Sequence, residues 1–145
     1  MRHFYVLTLA LLFSGWAVGY PNSGQLLPHR SVIYFAPTQD EHVEQFKLDT
    51  LLNDCALLSR DIVTIIITHD GYTRPDWLEK QFDLATLFSL YRVNPSEHTA
   101  ILIGKDGTEK MRWGKLTDWH ELTQTIDKMP LRQREMNNKK DPCSI

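Results

Sequence analysis

The chain has 145 residues, with sixteen Lys and Arg against eighteen Asp and Glu, a formal charge of −2. That length holds one domain, and the charge balance excludes bulk electrostatic binding of nucleic acid. With 42% hydrophobic and 23% charged residues, the composition suits a packed core, while two cysteines exclude a disulfide-dense miniprotein and a four-cysteine zinc site.

Residues 1–19 read as a signal peptide. Arg2 and His3 form a short polar start, and the run from Phe4 to Phe13 is mostly apolar. Ala17 and Gly19 place small residues before a cleavage point at Tyr20. The run is shorter than the roughly 20 apolar residues of a membrane-spanning helix. No cysteine directly follows it and no second hydrophobic span exists. The expectation is an exported protein, periplasmic or secreted, with no stable membrane anchor after cleavage. Residues 20–30 read as a flexible leader, because Pro21, Asn22, Ser23, Gly24 and Pro28 break any regular period.

Ser31–Ala36 is β-branched and aromatic and predicts a buried strand, stopped by Pro37 and Thr38. A helix is expected from about Asp40, with Asp40 and Glu41 favourable at its positive end. Val43, Phe46, Leu48, Leu51 and Leu52 would form its apolar stripe. Ile62–Thr68 is the most β-branched run and lacks polar alternation, as in a parallel strand covered on both faces. Leu84, Leu87, Phe88 and Tyr91 have helical spacing. Thr99–Ile103 predicts a further strand, Lys105-Asp106-Gly107 a hairpin turn, and Glu109–Trp113 the returning strand. A last helix is expected from Thr117 as N-cap, with Trp119, Leu122, Ile126 and Met129 on one face and Pro130 as a stop.

The order β-α-β-α-β-β-α, a parallel half followed by an antiparallel hairpin and a helix, predicts an α/β fold: a thioredoxin-like three-layer sandwich around a four-stranded mixed sheet. The domain is expected over residues 31–131, with residues 132–145 as a basic C-terminal tail. Three stretches, SVIYFAP, LYRVNPSEHTAILIGKDG and IDKMPLRQREM, together resemble a thioredoxin-like, peroxiredoxin-like domain family of unknown function. That family occurs as small exported bacterial proteins. It also occurs as domains of animal extracellular matrix proteins of the sushi-repeat-containing and down-regulated-by-Src types. The resemblance spans about residues 31–136 and implies the fold, without an established reaction.

Thioredoxin chemistry needs a thiolate at the start of the first helix, where the helix dipole lowers the thiol pKa. Gln39-Asp40-Glu41-His42 occupies that place, without a cysteine. The loop that normally presents a cis-proline opposite it is also altered: His98 precedes the strand and Pro95 lies further upstream. Cys55 and Cys143 are the only thiols. In an oxidising compartment they form a possible structural bridge, which would constrain the unfolded chain by about 4 kcal/mol. The alternatives are a buried Cys55 with a free tail thiol, or a redox-active pair.

The topology brings His42, His69 and His98 toward one edge, with Gln39 beside them, outside the carboxyl ends of the parallel strands where ligands favour open α/β sheets. Asp40, Glu41 and Asp70 lie nearby in the chain. A small polar ligand pocket or a metal site is conceivable there, but the spacing matches no recognised zinc signature, so neither metal nor cofactor is assigned. Arg132 and Arg134 either pin the tail to the domain or contact a partner. Phosphate-binding glycine loops, a nucleophile elbow and a His-Glu-x-x-His helix are absent from the sequence. The expected function is therefore a non-catalytic binding module with an envelope or extracellular protein as partner. The alternatives are a divergent peroxiredoxin-like oxidoreductase using the dispersed cysteines or a bound metal, and a structural subunit of an assembly.

Overall fold

The computed structural model of the protein describes residues 26–138, 140, 141 and 143. The expected signal peptide and most of the expected leader lie outside the described residues. The elements run β1 (Arg30–Ala36), α1 (Glu41–Leu52), α2 (Asp54–Ser59), β2 (Ile62–Thr68), β3 (Thr73–Arg74), α3 (Leu78–Gln81), α4 (Leu84–Leu90), β4 (Thr99–Ile103), β5 (Glu109–Trp113), α5 (Trp119–Asp127) and α6 (Pro130–Asn138). The sheet order is β3-β2-β1-β4-β5. β1 and β2 are parallel, and every other pairing is antiparallel.

Alternation along β1 builds the two halves of the core, since successive side chains point to opposite faces. Val32, Tyr34 and Ala36 meet Val43 and Phe46 of α1, Leu57 of α2, and Leu122 and Ile126 of α5. Ile33 and Phe35 face the other way, onto Phe88 of α4 and Val93. Helices therefore cover both sides of a mixed sheet, and the chain has the thioredoxin-like three-layer arrangement. The β4–β5 turn closes at Gly107, whose φ of +78° suits the residue without a Cβ.

Four expectations need correction. The sheet has five strands, not four, because the turn after β2 folds Thr73–Arg74 back as an edge strand. Two residues are too short to leave a periodic signal. In α1 only Val43, Phe46 and Thr50 are buried; Leu48, Leu51 and Leu52 are exposed. At roughly 100° per residue, positions 43, 46 and 50 share a narrow arc, whereas the three leucines turn away from it. α5 is capped by Asp118, not Thr117, through a bond from the Glu121 N–H. Finally, the tail expected from residue 132 begins inside a helix. Pro130 lies beyond the end of α5, as expected of a stop, and also opens α6, as its fixed φ permits at a first helical position. Residues 132–138, expected in the tail, are thus helical.

α6 docks through charge. Arg30, the first residue of β1, is 1% exposed. Its guanidinium donates to the Glu135 carboxylate (3.0 Å) and to the Arg60 carbonyl (2.9 Å). Lys105 donates to the other Glu135 oxygen (2.6 Å) and to Asp61 (2.8 Å). Arg60 grips Asp127 with two bonds of 3.0 and 2.7 Å. Arg132 bonds the same Asp127 (3.2 Å) and the Ser59 carbonyl (2.7 Å). Burial pushes the Glu135 carboxyl up, but the bonds and charges of Lys105 and Arg30 outweigh it and hold the group below its ordinary range. Asp127 is likewise low: burial raises it, and Arg60 and Arg132 more than reverse that.

Candidate functional site

The opposite end of the sheet is built differently. β1 leads through Pro37, Thr38 and Gln39 to Asp40, the N-cap of α1. One carboxylate oxygen of Asp40, Oδ1, accepts the backbone N–H groups of His42 (3.0 Å) and Val43 (3.1 Å). These are two of the donors that a helix start leaves without intrahelical partners. Oδ2 is thereby aimed away from the helix, and it lies 2.7 Å from Nε2 of His98. His98 precedes β4, whose Thr99 pairs with Phe35 of β1, so the antiparallel strand delivers the imidazole to the helix start. Nδ1 of His42 is 3.9 Å from the same Oδ2. The two imidazole rings are 5.0 Å apart and tilted by 51°.

Tyr34 forms the floor. It is fully buried, stacks on Phe46 at 4.5 Å, and meets the His98 ring edge at 6.2 Å. Its hydroxyl donates to the Lys115 carbonyl (2.8 Å). Burial, with the Asp40 charge added, pushes the phenol well above its usual pKa. Burial also raises the Asp40 carboxyl, but the Val43 N–H, the His98 bond and charge, and the His42 N–H together leave it lower than an ordinary aspartate. Asp40 is an acceptor fixed at one oxygen and available at the other. The half-buried cluster opens beside His98 into a cleft lined by Ser96, Glu97, Gly114 and Lys115.

The expected site residues separate. His42 and His98 come together. His69 is exposed and lies against Phe88 at 5.7 Å, toward the other face of the sheet. Gln39 turns outward to Glu44 (2.7 Å). Asp70 accepts from Thr38 and Thr68 hydroxyls, at 2.6 Å each, and organises the turn after β2. Glu41 is exposed and brings a carboxylate oxygen within 3.9 Å of His42 Nδ1. Tyr34 is the member that sequence reasoning left out; Asp40 was placed near the histidines, but nothing local reveals that its second oxygen meets a residue 58 positions later. Among the described residues, Asp40, His42 and His98 form the group of metal-competent side chains, with one donor atom from each lying within 4.8 Å of the others.

Sulfur is elsewhere. Cys55 and Cys143 are bridged, with Cα atoms 5.6 Å apart across 88 residues. Cys55 lies in α2, beyond the full length of α1, a separation of roughly 18 Å from the helix start at 1.5 Å per residue. Of the two arginines considered for partner contact, Arg132 is buried in the α6 network. Arg134 is exposed and lines a cleft with Lys105, Lys110 and Leu131.

Residues 27–135 match the family model described as Domain of unknown function (DUF4174). No curated protein matches the chain. Solved structures that resemble it include two at low identity. One is the pneumococcal exposed lipoprotein thioredoxin (Etrx1) from Streptococcus pneumoniae strain TIGR4, 16% identical over 74% of this chain and 90% of that one, with a TM-score of 0.45. The other is Arabidopsis thaliana ScoI with copper bound, 17% identical over 81% of this chain and 89% of that one, with a TM-score of 0.49. At these identities the chemistry of neither protein transfers to this chain.

Proposed function

Because the chain belongs to the DUF4174 family of domains of unknown function, we propose that it works as an exported, non-catalytic thioredoxin-like binding module whose working surface is the Asp40–His42–His98 corner. One observation carries this reading. The helix start that a thioredoxin-type enzyme equips with a thiolate holds a carboxylate here, and both sulfurs are joined to each other beyond the far end of α1. A carboxylate flanked by imidazoles binds; it does not exchange disulfides or reduce peroxide.

Export is supported by the bridge, since such bonds persist in oxidising compartments, and by the signal-like composition of residues 1–19. No helix among the described residues is long and apolar enough to cross a membrane. The partner proposed is an envelope or extracellular protein, in keeping with the resemblance to matrix-protein domains. Insulin-reduction and peroxide-consumption assays on the wild type and Cys55→Ser test the reading. Neither protein is expected to exceed background. Turnover by the wild type that disappears in Cys55→Ser would overturn it in favour of a divergent oxidoreductase.

A further inference from the structure

We propose that Asp40, His42 and His98 form a binding site for a late first-row divalent metal ion, of the class represented by Cu2+ and Zn2+. The inference rests on the binding reading of the same corner and gives it a ligand. Bonds from such an ion to imidazole nitrogen or carboxylate oxygen are about 2.1 Å, so two of its donors lie no more than about 4.2 Å apart. Asp40 Oδ2 meets that limit with both histidines, at 2.7 Å to His98 and 3.9 Å to His42. The whole set spans no more than 4.8 Å, about 0.6 Å beyond that limit.

Preorganisation favours the site. The two helical N–H groups on Oδ1 lock the carboxylate so that Oδ2 faces the imidazoles. His98 is set by a strand paired to β1, and His42 by the first turn of α1. Two rigid elements therefore present the three donors, and the metal ion would replace the His98–Asp40 contact. Two nitrogens and one oxygen suit copper, zinc or nickel, whereas calcium and magnesium demand oxygen-rich shells. Three protein donors leave a coordination position open. Glu41, 3.9 Å from His42 Nδ1, adds negative charge at the rim, and the cleft beside His98 gives a partner or a water access to that position.

The test is isothermal titration of the chelator-stripped full chain with CuCl2 and with ZnCl2, together with electron paramagnetic resonance of the copper form. One ion per chain and a copper signal split by two imidazole nitrogens are expected. His42→Ala, His98→Ala and Asp40→Ser should each weaken binding at least about tenfold; the serine keeps a helix cap while removing the carboxylate. His69→Ala and His120→Ala should bind as the wild type does. Absence of heat in wild-type titrations reaching about 1 mM metal, or unchanged affinity in the His42→Ala/His98→Ala double variant, overturns the site. Silent calorimetry with inert thiol assays removes the metal and keeps the binding module, whereas thiol turnover removes the module whatever the calorimetry gives.

Discussion

The two ends of the sheet, roughly 20 Å apart along β1 at 3.3 Å per residue, use polar residues in opposite ways. At the amino end Arg30, Glu135 and Lys105 are each less than a tenth exposed and bonded to one another. Four cations and three carboxylates close into one connected set there, so charge is spent on holding α6 to the sheet. At the carboxyl end Asp40, His42 and His98 stay half-buried, with a cleft opening beside His98. A buried network of multiply paired charges, even with Arg30 Nε left without a partner, specifies structure, because removing any member strands another charge in low dielectric. A partly open cluster costs little to keep and can exchange its partners.

That contrast can be broken from the amino end with large effects. Replacing Cys55 by serine opens a link across 88 residues and is expected to lower unfolding stability by about 4 kcal/mol in urea titrations. Glu135→Ala leaves Arg30 and Lys105 buried without their shared carboxylate and should cost about 3 kcal/mol by the same measurement. A loss under about 1 kcal/mol would show the network to be solvated in practice.

Acid sharpens the same comparison. Glu135 and Asp127 both titrate below their ordinary values of 4.5 and 3.8 in the folded chain. A carboxylate with a depressed folded pKa adds stability above its unfolded pKa and loses it as pH falls through the folded one. Melting temperature should therefore hold from neutrality down to about pH 5 and then drop through the acid range, and Glu135→Gln should flatten that drop. The smallest effects belong to the carboxyl end. Asp40→Ala removes the cap of α1 and should cost about 1 kcal/mol, but Asp40→Ser only a few tenths. Thermal melts of the two variants separate the capping role of Asp40 from its role toward the histidines.

Much of the fold was legible because its strands announce themselves. Ile62–Thr68 and Thr99–Ile103 stand as their composition predicts, since β-branched runs bounded by turn residues have few other conformations that bury them, and Glu109–Trp113 follows from the Asp-Gly turn before it. α6 was illegible for the complementary reason. Its inward residues are Arg132 and Glu135, and a helix that docks by ion pairs carries no apolar stripe for periodicity to find. The exposed leucines of α1 misled in the opposite sense, as apolar residues off the buried arc look the same in a list as those on it.

The candidate site divides along the same line. Local sequence alone determined that no sulfur stands at the first helix start, that Asp40 lies at its cap, and that histidines flank strand ends. Which histidines meet was decided only in three dimensions. His42 and His69 each follow a neighbouring parallel strand, but His69 turns toward Phe88 while His98 arrives from an antiparallel strand beside β1. Contact between residues 58 positions apart depends on strand order and face, and neither is written in the spacing of residues along the chain.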